Sequence, residues 1–215
     1  MGAKTWMLVC SDLPAREALA ARPPLDRARS AALAKDLFPG ETLEPIDDSN
    51  LGFTSPPNHE VYVGCFEGIT VLAAKEFGID YPSKLAAEFL EACGVKYVYL
   101  HAMHSVVDWF AYAVWENARL VRSLSLSPDS GILEDIGDQL GFEEPFWSGK
   151  QPVFEPGEEG DYPFVFHPLD LGEAAMSALF GFVLEGFPKP EHINPEEFPL
   201  VAFKRIKKRW WKIWQ

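Results

Sequence analysis

The chain has 215 residues, of which 47% are hydrophobic and 24% charged, and its formal net charge is −13. This composition excludes a disordered chain, and no stretch approaches the roughly 20 apolar residues of a membrane-spanning helix. A domain of this length can bury a sufficient core without a structural metal or disulfides.

The charge is distributed unevenly along the chain. Residues 203–215 hold six basic residues and no acid, whereas the preceding 202 residues carry 13 basic and 32 acidic side chains. Phosphate binding needs a positive face, so this acidic body argues against nucleic acid as a partner. We therefore predict a single domain over residues 1–202, followed by a basic, tryptophan-rich segment over 203–215.

The three cysteines, Cys10, Cys65 and Cys93, lie far apart in apolar surroundings and form no Cys-X-X-Cys motif. This pattern is typical of reduced thiols packed as small hydrophobic side chains. The apolar run 6–10 is also too short for the core of a signal peptide. Together these features predict a cytoplasmic protein.

The first half of the chain alternates strands and helices. Strands are expected over 4–11, 60–66, 69–74 and 95–101, helices after Pro14 and over 25–38 and 82–93, and a loop over 41–58. The order strand, helix, strand, strand, helix, strand is the signature of a ferredoxin-like split βαβ unit. We therefore predict an α+β fold, with helices packed on a mixed or antiparallel sheet.

The second half adds a hairpin and a long helix to this unit. Two strands are predicted over 109–115 and 119–126, and the first is apolar on both faces, as in a central strand. Residues 127–166 are rich in proline, glycine and acid and predict a long, partly ordered excursion. The next helix is expected to begin at a capping box formed by Asp170 and Glu173 and to end before Gly186.

One cluster of side chains could bind a divalent metal. His101 and His104 lie three residues apart, and Asp108 follows four residues later. Two imidazoles and a carboxylate suit a catalytic zinc or iron site with an open coordination position. Residues three apart point to opposite faces of a strand, so joint ligation requires a bend near 102–105. The alternative is that both histidines form structural hydrogen bonds.

A second cluster follows the predicted strand 119–126. Asp129 and Ser130 lie in a Ser-Pro-Asp-Ser-Gly sequence, which could carry polar site residues next to His104. The same sequence is a good β-turn, and no Gly-X-Ser-X-Gly motif supports a serine nucleophile. His104, Asp129 and Ser130 are therefore catalytic candidates, with a plain turn as the alternative.

The C-terminal segment predicts an amphipathic helix with an apolar stripe and a basic flank. Its candidate partner-binding residues are Trp210, Trp211, Trp214, Arg205 and Lys208. Such a helix could dock on the protein's own body, bind a protein partner or a second copy of the chain, or lie on an anionic membrane surface. The first two alternatives are favoured over the membrane.

Three stretches carry a resemblance to a known family: MGAKTWMLV at 1–9, YLHAMHSVVDWFAYAVW at 99–115 and SLSLSPDSG at 123–131. Over residues 1 to about 186 the chain resembles a family of bacterial, mostly actinobacterial, proteins of unknown function. The resemblance implies a bacterial cytoplasmic location and implies no activity or ligand.

The sequence as a whole favours a non-enzymatic binding or regulatory module without a cofactor. The absence of a complete catalytic motif, the acidic body and the aromatic, basic C-terminal segment support this interpretation. A metal-dependent hydrolase that uses His101, His104 and Asp108 is one alternative, and peripheral membrane association through the C-terminal segment is the other.

Overall fold

The computed structural model describes residues 2–154, 157 and 160–207. The strands are β1 (Lys4–Ser11), β2 (Glu41–Pro45), β3 (Ser49–Asn50), β4 (Glu60–Phe66), β5 (Ile69–Ala73), β6 (Tyr97–His104), β7 (Trp109–Glu116), β8 (Arg119–Ser127), β9 (Gly131–Ile136) and β10 (Pro199–Lys207). The α-helices are α1 (Ala15–Ala20), α2 (Arg27–Leu37), α3 (Ala87–Cys93), α4 (Glu144–Trp147) and α5 (Pro168–Phe180).

The described strands form one antiparallel sheet in the order β2-β10-β4-β5-β1-β6-β7-β8-β9, and β3 pairs separately with β10. Its central part, β4-β5-β1-β6, has the strand order of a ferredoxin-like unit, in which the first strand lies between the third and the fourth. The predicted α+β unit is therefore confirmed, and its sheet is antiparallel. Strands β7–β9 extend it on one side, and β10 with β2 on the other.

The sheet separates two hydrophobic clusters. On one face, α1 and α5 cover residues that include Met7, Tyr99 and Phe110. On the other face, α2 and α3 lie against residues that include Leu8 and Leu100. Strand β7 contributes to both clusters, as its two apolar faces predict: Trp109, Ala111, Ala113 and Trp115 face α2 and α3, whereas Phe110, Tyr112 and Val114 face α5.

Helix α5 differs from its predicted bounds for a local reason. His167 is its N-cap and accepts a hydrogen bond from the Leu169 N–H, and Pro168 occupies the first helical position. Gly181 ends the helix in the left-handed conformation, at φ 78°. Glu173 is therefore not part of a capping box: its carboxylate accepts from the N–H groups of Leu184 and Glu185.

Two other predictions along the chain were wrong. Residues 41–58, expected as a loop, include β2 and β3, whereas the acidic excursion 127–166, expected to be partly ordered, includes β9 and α4. The predicted C-terminal helix over 203–215 is a strand as far as Lys207, because β10 pairs with β4 on one side and β2 on the other. The boundary proposed after residue 202 falls inside β10, and residues 208–215 lie outside the described part.

Candidate ligand-binding site

Several strand ends meet at one end of the sheet. Antiparallel register places Lys4 of β1 opposite His104 of β6, and His104 opposite Trp109 of β7. Ser127 at the end of β8 faces Gly131 at the start of β9. Residues from β1 and from the β6–β7 and β8–β9 hairpins, three parts of the chain that are distant in sequence, therefore come together on the α2 and α3 face.

A cavity of about 320 Å³ opens at this end, and we call it the end-of-sheet pocket. Its polar lining residues are Lys75, Asp80, His104, Ser127, Asp129 and Ser130. The remaining lining residues are Trp6, Gly78, Val107, Trp109 and Leu133. The volume is at the lower end of the range for small-molecule sites. All three residues proposed as catalytic candidates, His104, Asp129 and Ser130, thus line one cavity.

Trp6 forms the inner wall of the pocket and is only 3% exposed. The ammonium nitrogen of Lys75 lies 3.9 Å from the Trp6 ring centroid, and that of Lys4 lies 5.1 Å away. The rings of His104 and Trp109 also contact it, with centroid distances of 5.7 and 5.9 Å. The indole thus holds two cations next to the pocket through cation–π attraction.

The indole N–H of Trp109 is a buried donor without a hydrogen-bond partner among the described residues. The same holds among the described residues for Oε2 of Glu76 and for the hydroxyl groups of Ser125 and Tyr162. Trp147, in contrast, donates its indole N–H to Glu143 at 3.1 Å. A buried unpaired donor is costly, and a ligand or water normally explains one.

His104 supplies a second donor. Its Nδ1 accepts a hydrogen bond of 3.2 Å from the Val106 N–H, so the neutral ring carries its proton on Nε2. Burial, together with the charges of Lys4 and Lys75, lowers the pKa of His104. The imidazole is therefore neutral near pH 7 and offers an N–H group.

The mouth of the pocket carries charges of both signs. Burial and the neighbouring Lys4 lower the pKa of Lys75, while Asp80 opposes this effect. Asp80 and Asp129 are exposed, whereas Ser127, which accepts from the Ser130 N–H at 3.2 Å, is buried. The acids thus lie at the rim, and the described inner groups are mainly donors.

The structure does not bring His101, His104 and Asp108 together. His101 faces α5 and is wholly buried, whereas His104 contacts Trp6 on the opposite face of the sheet. No group of three or more His, Cys, Asp or Glu side chains within the described ranges could hold a metal ion. The bend that joint ligation requires is absent, because β6 runs without interruption from Tyr97 to His104.

His101 instead forms structural hydrogen bonds. Its Nδ1 lies 2.9 Å from the Thr5 hydroxyl, and its Nε2 lies 3.0 Å from the carbonyl oxygen of Gly172 in α5. Because the carbonyl can only accept, Nε2 carries the proton and Nδ1 accepts from Thr5. Burial lowers the pKa of His101 to about 4, so the ring is neutral and links β1, β6 and α5.

Asp108 pairs with a histidine outside the predicted triad. Its Oδ2 lies 3.5 Å from Nε2 of His167, the N-cap of α5. Asp108 itself is in the left-handed conformation, at φ 46°, in the turn between β6 and β7. The contact connects this turn to the start of α5.

A serine–histidine pair that the sequence analysis missed lies near the end of α5. The Ser177 hydroxyl is 2.9 Å from Nε2 of His192, but Nδ1 of that ring accepts from the Lys189 N–H. The neutral ring therefore has its proton on Nε2 and donates it to Ser177. This tautomer cannot take the serine proton, so the pair lacks the arrangement of an activated nucleophile.

Arg205 is held inside the fold and is not presented to a partner. It is 8% exposed, forms ion pairs with Glu41 and Glu76, and lies 3.7 Å from the Phe38 ring centroid. Arg205 is buried and its neighbour Lys204 is exposed, which is the alternation of faces expected along a strand. The other predicted partner-binding residues, Lys208, Trp210, Trp211 and Trp214, lie outside the described residues.

The expectation of three reduced thiols is not met. Cys65 is buried and free, and burial raises the pKa of its thiol. Cys10, however, is disulfide-bonded. The predicted cytoplasmic location therefore loses one of its supports, since disulfides are typical of oxidising compartments.

Two other cavities lack a lining residue with a buried, unpaired polar atom, such as Trp109 in the end-of-sheet pocket. One of about 260 Å³ lies between α2 and the sheet near Arg29 and Thr70, and one of about 600 Å³ lies among residues 183–196 and Gly52. No described residue that lines either of them has a buried polar side-chain atom without a partner. The end-of-sheet pocket is therefore the stronger candidate.

Fold and site together define an antiparallel α+β protein with a pocket of polar and aromatic side chains at the end of its central strands. The chain belongs to the family of unknown function DUF6928, whose model matches residues 5–203. The resemblance to a family of unknown function is thus confirmed, and it extends beyond residue 186 through most of β10. No curated protein and no solved structure matches the chain. Among the described helices, none has the length and apolar character to cross a bilayer.

Proposed function

We propose that the protein is a non-enzymatic binding module whose ligand is a small molecule held in the end-of-sheet pocket. The observation that carries this proposal is the cavity of about 320 Å³ that joins Lys75 and His104 to the Trp6 and Trp109 rings. The indole N–H of Trp109, a residue that lines this cavity, is buried and unpartnered at a cost of about 1–3 kcal/mol, and a ligand acceptor that reached it would recover that cost.

The surroundings of Trp109 support a binding site rather than a packing defect. His104 adds a neutral N–H donor to the same cavity, and Lys75 adds an amine at its mouth. The Gly78 backbone packs directly against the Trp6 ring, because a Cβ at position 78 would lie only 2.6 Å from Cε3 of Trp6. This close contact fixes the wall of the pocket. These groups lie on strands of the central sheet or on the 3-10 turn that follows β5. Because this scaffold is rigid, the site is preformed, as ligand sites usually are.

The test is a fragment screen read by nuclear magnetic resonance. Neutral, cationic and anionic fragments are added to ¹⁵N-labelled protein, and the indole N–H signals of Trp109 and Trp147 are followed, each assigned by a Trp→Phe variant. We expect at least one fragment to shift the Trp109 signal saturably and leave the Trp147 signal unchanged, because the Trp147 N–H is already bonded to Glu143.

Trp109→Phe keeps an aromatic ring and removes the donor, so it should bind that fragment roughly tenfold or more weakly while it remains folded, as measured by titration of the backbone amide signals around the pocket in both proteins. The proposal fails if no fragment in the panel perturbs the Trp109 N–H. It also fails if every fragment that binds does so equally well in Trp109→Phe.

A further inference from the structure

The geometry points to a two-fold dimer of this chain in which Phe187 of each copy enters a cavity of the other copy. The residues involved lie on the loop that follows α5, on the face of the sheet that α1 and α5 cover. None of them lines the end-of-sheet pocket, so this inference is independent of the proposed function.

Phe187 is the most exposed large hydrophobic side chain among the described residues, at 98%. All its neighbours from Glu185 to Glu191 are exposed as well, so the loop stands out from the body of the protein. A single exposed hydrophobic side chain is not unusual. Here a fixed loop and an adjacent cavity accompany it, and together they indicate an interaction surface.

The loop that carries Phe187 is fixed on both sides of its tip. The carboxylate of Glu173 in α5 accepts hydrogen bonds from the N–H groups of residues 184–185, at 2.9 and 3.2 Å. On the other side, the Lys189 N–H donates to Nδ1 of His192, and the His192 N–H donates to the carbonyl oxygen of Lys189. The ring is therefore presented on a preformed turn, which lowers the entropy cost of association.

The cavity next to this tip is the one of about 600 Å³ among residues 183–196 and Gly52. Gly186 and Pro188, the two neighbours of Phe187 in sequence, line it, whereas the exposed Phe187 ring stands outside. A cavity of this volume has room for a phenyl ring. Its apolar lining residues are Val183, Leu184, Pro188, Pro190, Ile193 and Pro195.

The adjacency of ring and cavity favours a second copy of the chain as the partner. Both lie on one surface, so a two-fold rotation about an axis between them places each ring at the cavity of the other copy. Such an interface uses the same patch twice and closes at two chains. A ring and a cavity on different faces would instead build an open chain of molecules.

The charges around the cavity are compatible with this pairing. Lys189 and Glu196 both line it, and Glu185 and Glu191 are exposed on the same loop. In a two-fold dimer the two patches run in opposite directions, so the lysine of each copy faces acids of the other. A patch with one sign of charge would repel its own copy.

Sedimentation velocity of the full chain, over roughly 1 to 500 µM protein, tests the inference. We expect a reversible equilibrium between monomer and dimer. Phe187→Ala removes two buried rings from each dimer and should raise the dissociation constant roughly a hundredfold or more. Val106→Ala is the matched control and should leave the constant unchanged, because Val106 is 82% exposed but lies in the turn between β6 and β7.

Val183→Trp tests the cavity, because the larger side chain occupies the space that the ring of the other copy would enter. Its folding is checked by thermal unfolding, and alone it should dimerise as weakly as Phe187→Ala. In a mixture of the two variants, one copy supplies the ring and the other an open cavity. The mixed dimer should therefore keep one of the two contacts, with a dissociation constant about midway on a logarithmic scale between those of the unchanged protein and Phe187→Ala.

The inference is overturned if the protein is monomeric at every concentration, if Phe187→Ala dimerises as tightly as the unchanged protein, or if assemblies grow beyond the dimer. A mixture of the two folded variants that stays monomeric would overturn it as well. Phe187→Ala changes only an exposed side chain and should fold, so the first comparison holds even if Val183→Trp does not. None of these results affects the fragment screen of the end-of-sheet pocket.

Discussion

The guanidinium of Arg122 and the carboxylate of Glu143 form a wholly buried ion pair, with 2.8 Å between the Nη2 and Oε2 atoms. Glu143 also accepts hydrogen bonds from the Tyr112 hydroxyl, the Leu140 N–H and the Trp147 indole. Arg122 reaches Asp135 and the carbonyl groups of Ile136 and Gly137 as well. This cluster ties the segment before α4 to β7, β8 and β9, at a distance from the end-of-sheet pocket.

Loss of either partner of this pair should destabilise the fold strongly. Glu143→Leu leaves the Arg122 charge buried next to a single half-exposed acid, so we expect the free energy of unfolding to fall by about 3–5 kcal/mol in urea denaturation. The double variant Arg122→Met/Glu143→Leu should lose clearly less than the sum of the single variants. Strict additivity would show that the two groups are not coupled.

Gly78→Ala should disturb the pocket through Trp6. The new Cβ would lie 2.6 Å from Cε3 of the Trp6 ring, so the indole must move, and we expect a loss of about 1–3 kcal/mol in stability. Ligand binding at the Trp109 N–H should weaken in the same variant. Gly141→Ala is the control, since no heavy atom lies within 4 Å of its new Cβ. Equal stability of the two variants would contradict the close contact.

His101 should contribute less to stability in mild acid. Its pKa of about 4 in the folded state lies below the ordinary 6.5, so between these values the unfolded chain binds a proton that the folded chain does not. The contribution of His101 to the free energy of unfolding should therefore decrease as the pH falls from about 6.5 to 4, by on the order of 3 kcal/mol. Because Glu173 acts in the opposite direction over part of this range, the measurement is a difference: in urea denaturation, the free energy of unfolding of the protein minus that of His101→Gln should decrease as the pH falls, whereas the difference from His59→Gln, at an exposed site, should stay constant.

Glu173 should act in the opposite direction. Burial raises its pKa to about 7, despite hydrogen bonds from the N–H groups of Leu184 and Glu185. Between about 4.5 and 7 the folded chain therefore binds a proton that the unfolded chain lacks, and its contribution to stability decreases as the pH rises. Glu173→Gln should remove this dependence, whereas Glu88→Gln, at an exposed position, should not. A carboxyl carbon signal of Glu173 that titrates near 4.5 would contradict the prediction.

The match between sequence and structure is best where local pattern and tertiary packing agree. Strands β7 and β8 follow from runs of β-branched and aromatic residues, and both faces of β7 are buried as predicted. The ferredoxin-like order follows from the alternation of strands and helices along 4–104. β10 was missed because the apolar residues from Phe203 onward have a helix-like spacing, and only pairing with β2 and β4 makes the segment a strand as far as Lys207.

The sequence by itself determined the family and the α+β class, because these depend on short motifs and local periodicity. It also named His104, Asp129 and Ser130 as candidates, and these three residues line the pocket. Only the tertiary structure decided that His101 and His104 lie on opposite faces and that His104 meets Trp6, Lys75 and Trp109. These residues are separated by up to about a hundred positions, and antiparallel register alone brings their strand ends together. No spacing rule along a single chain carries that information, since it arises from which strands pair.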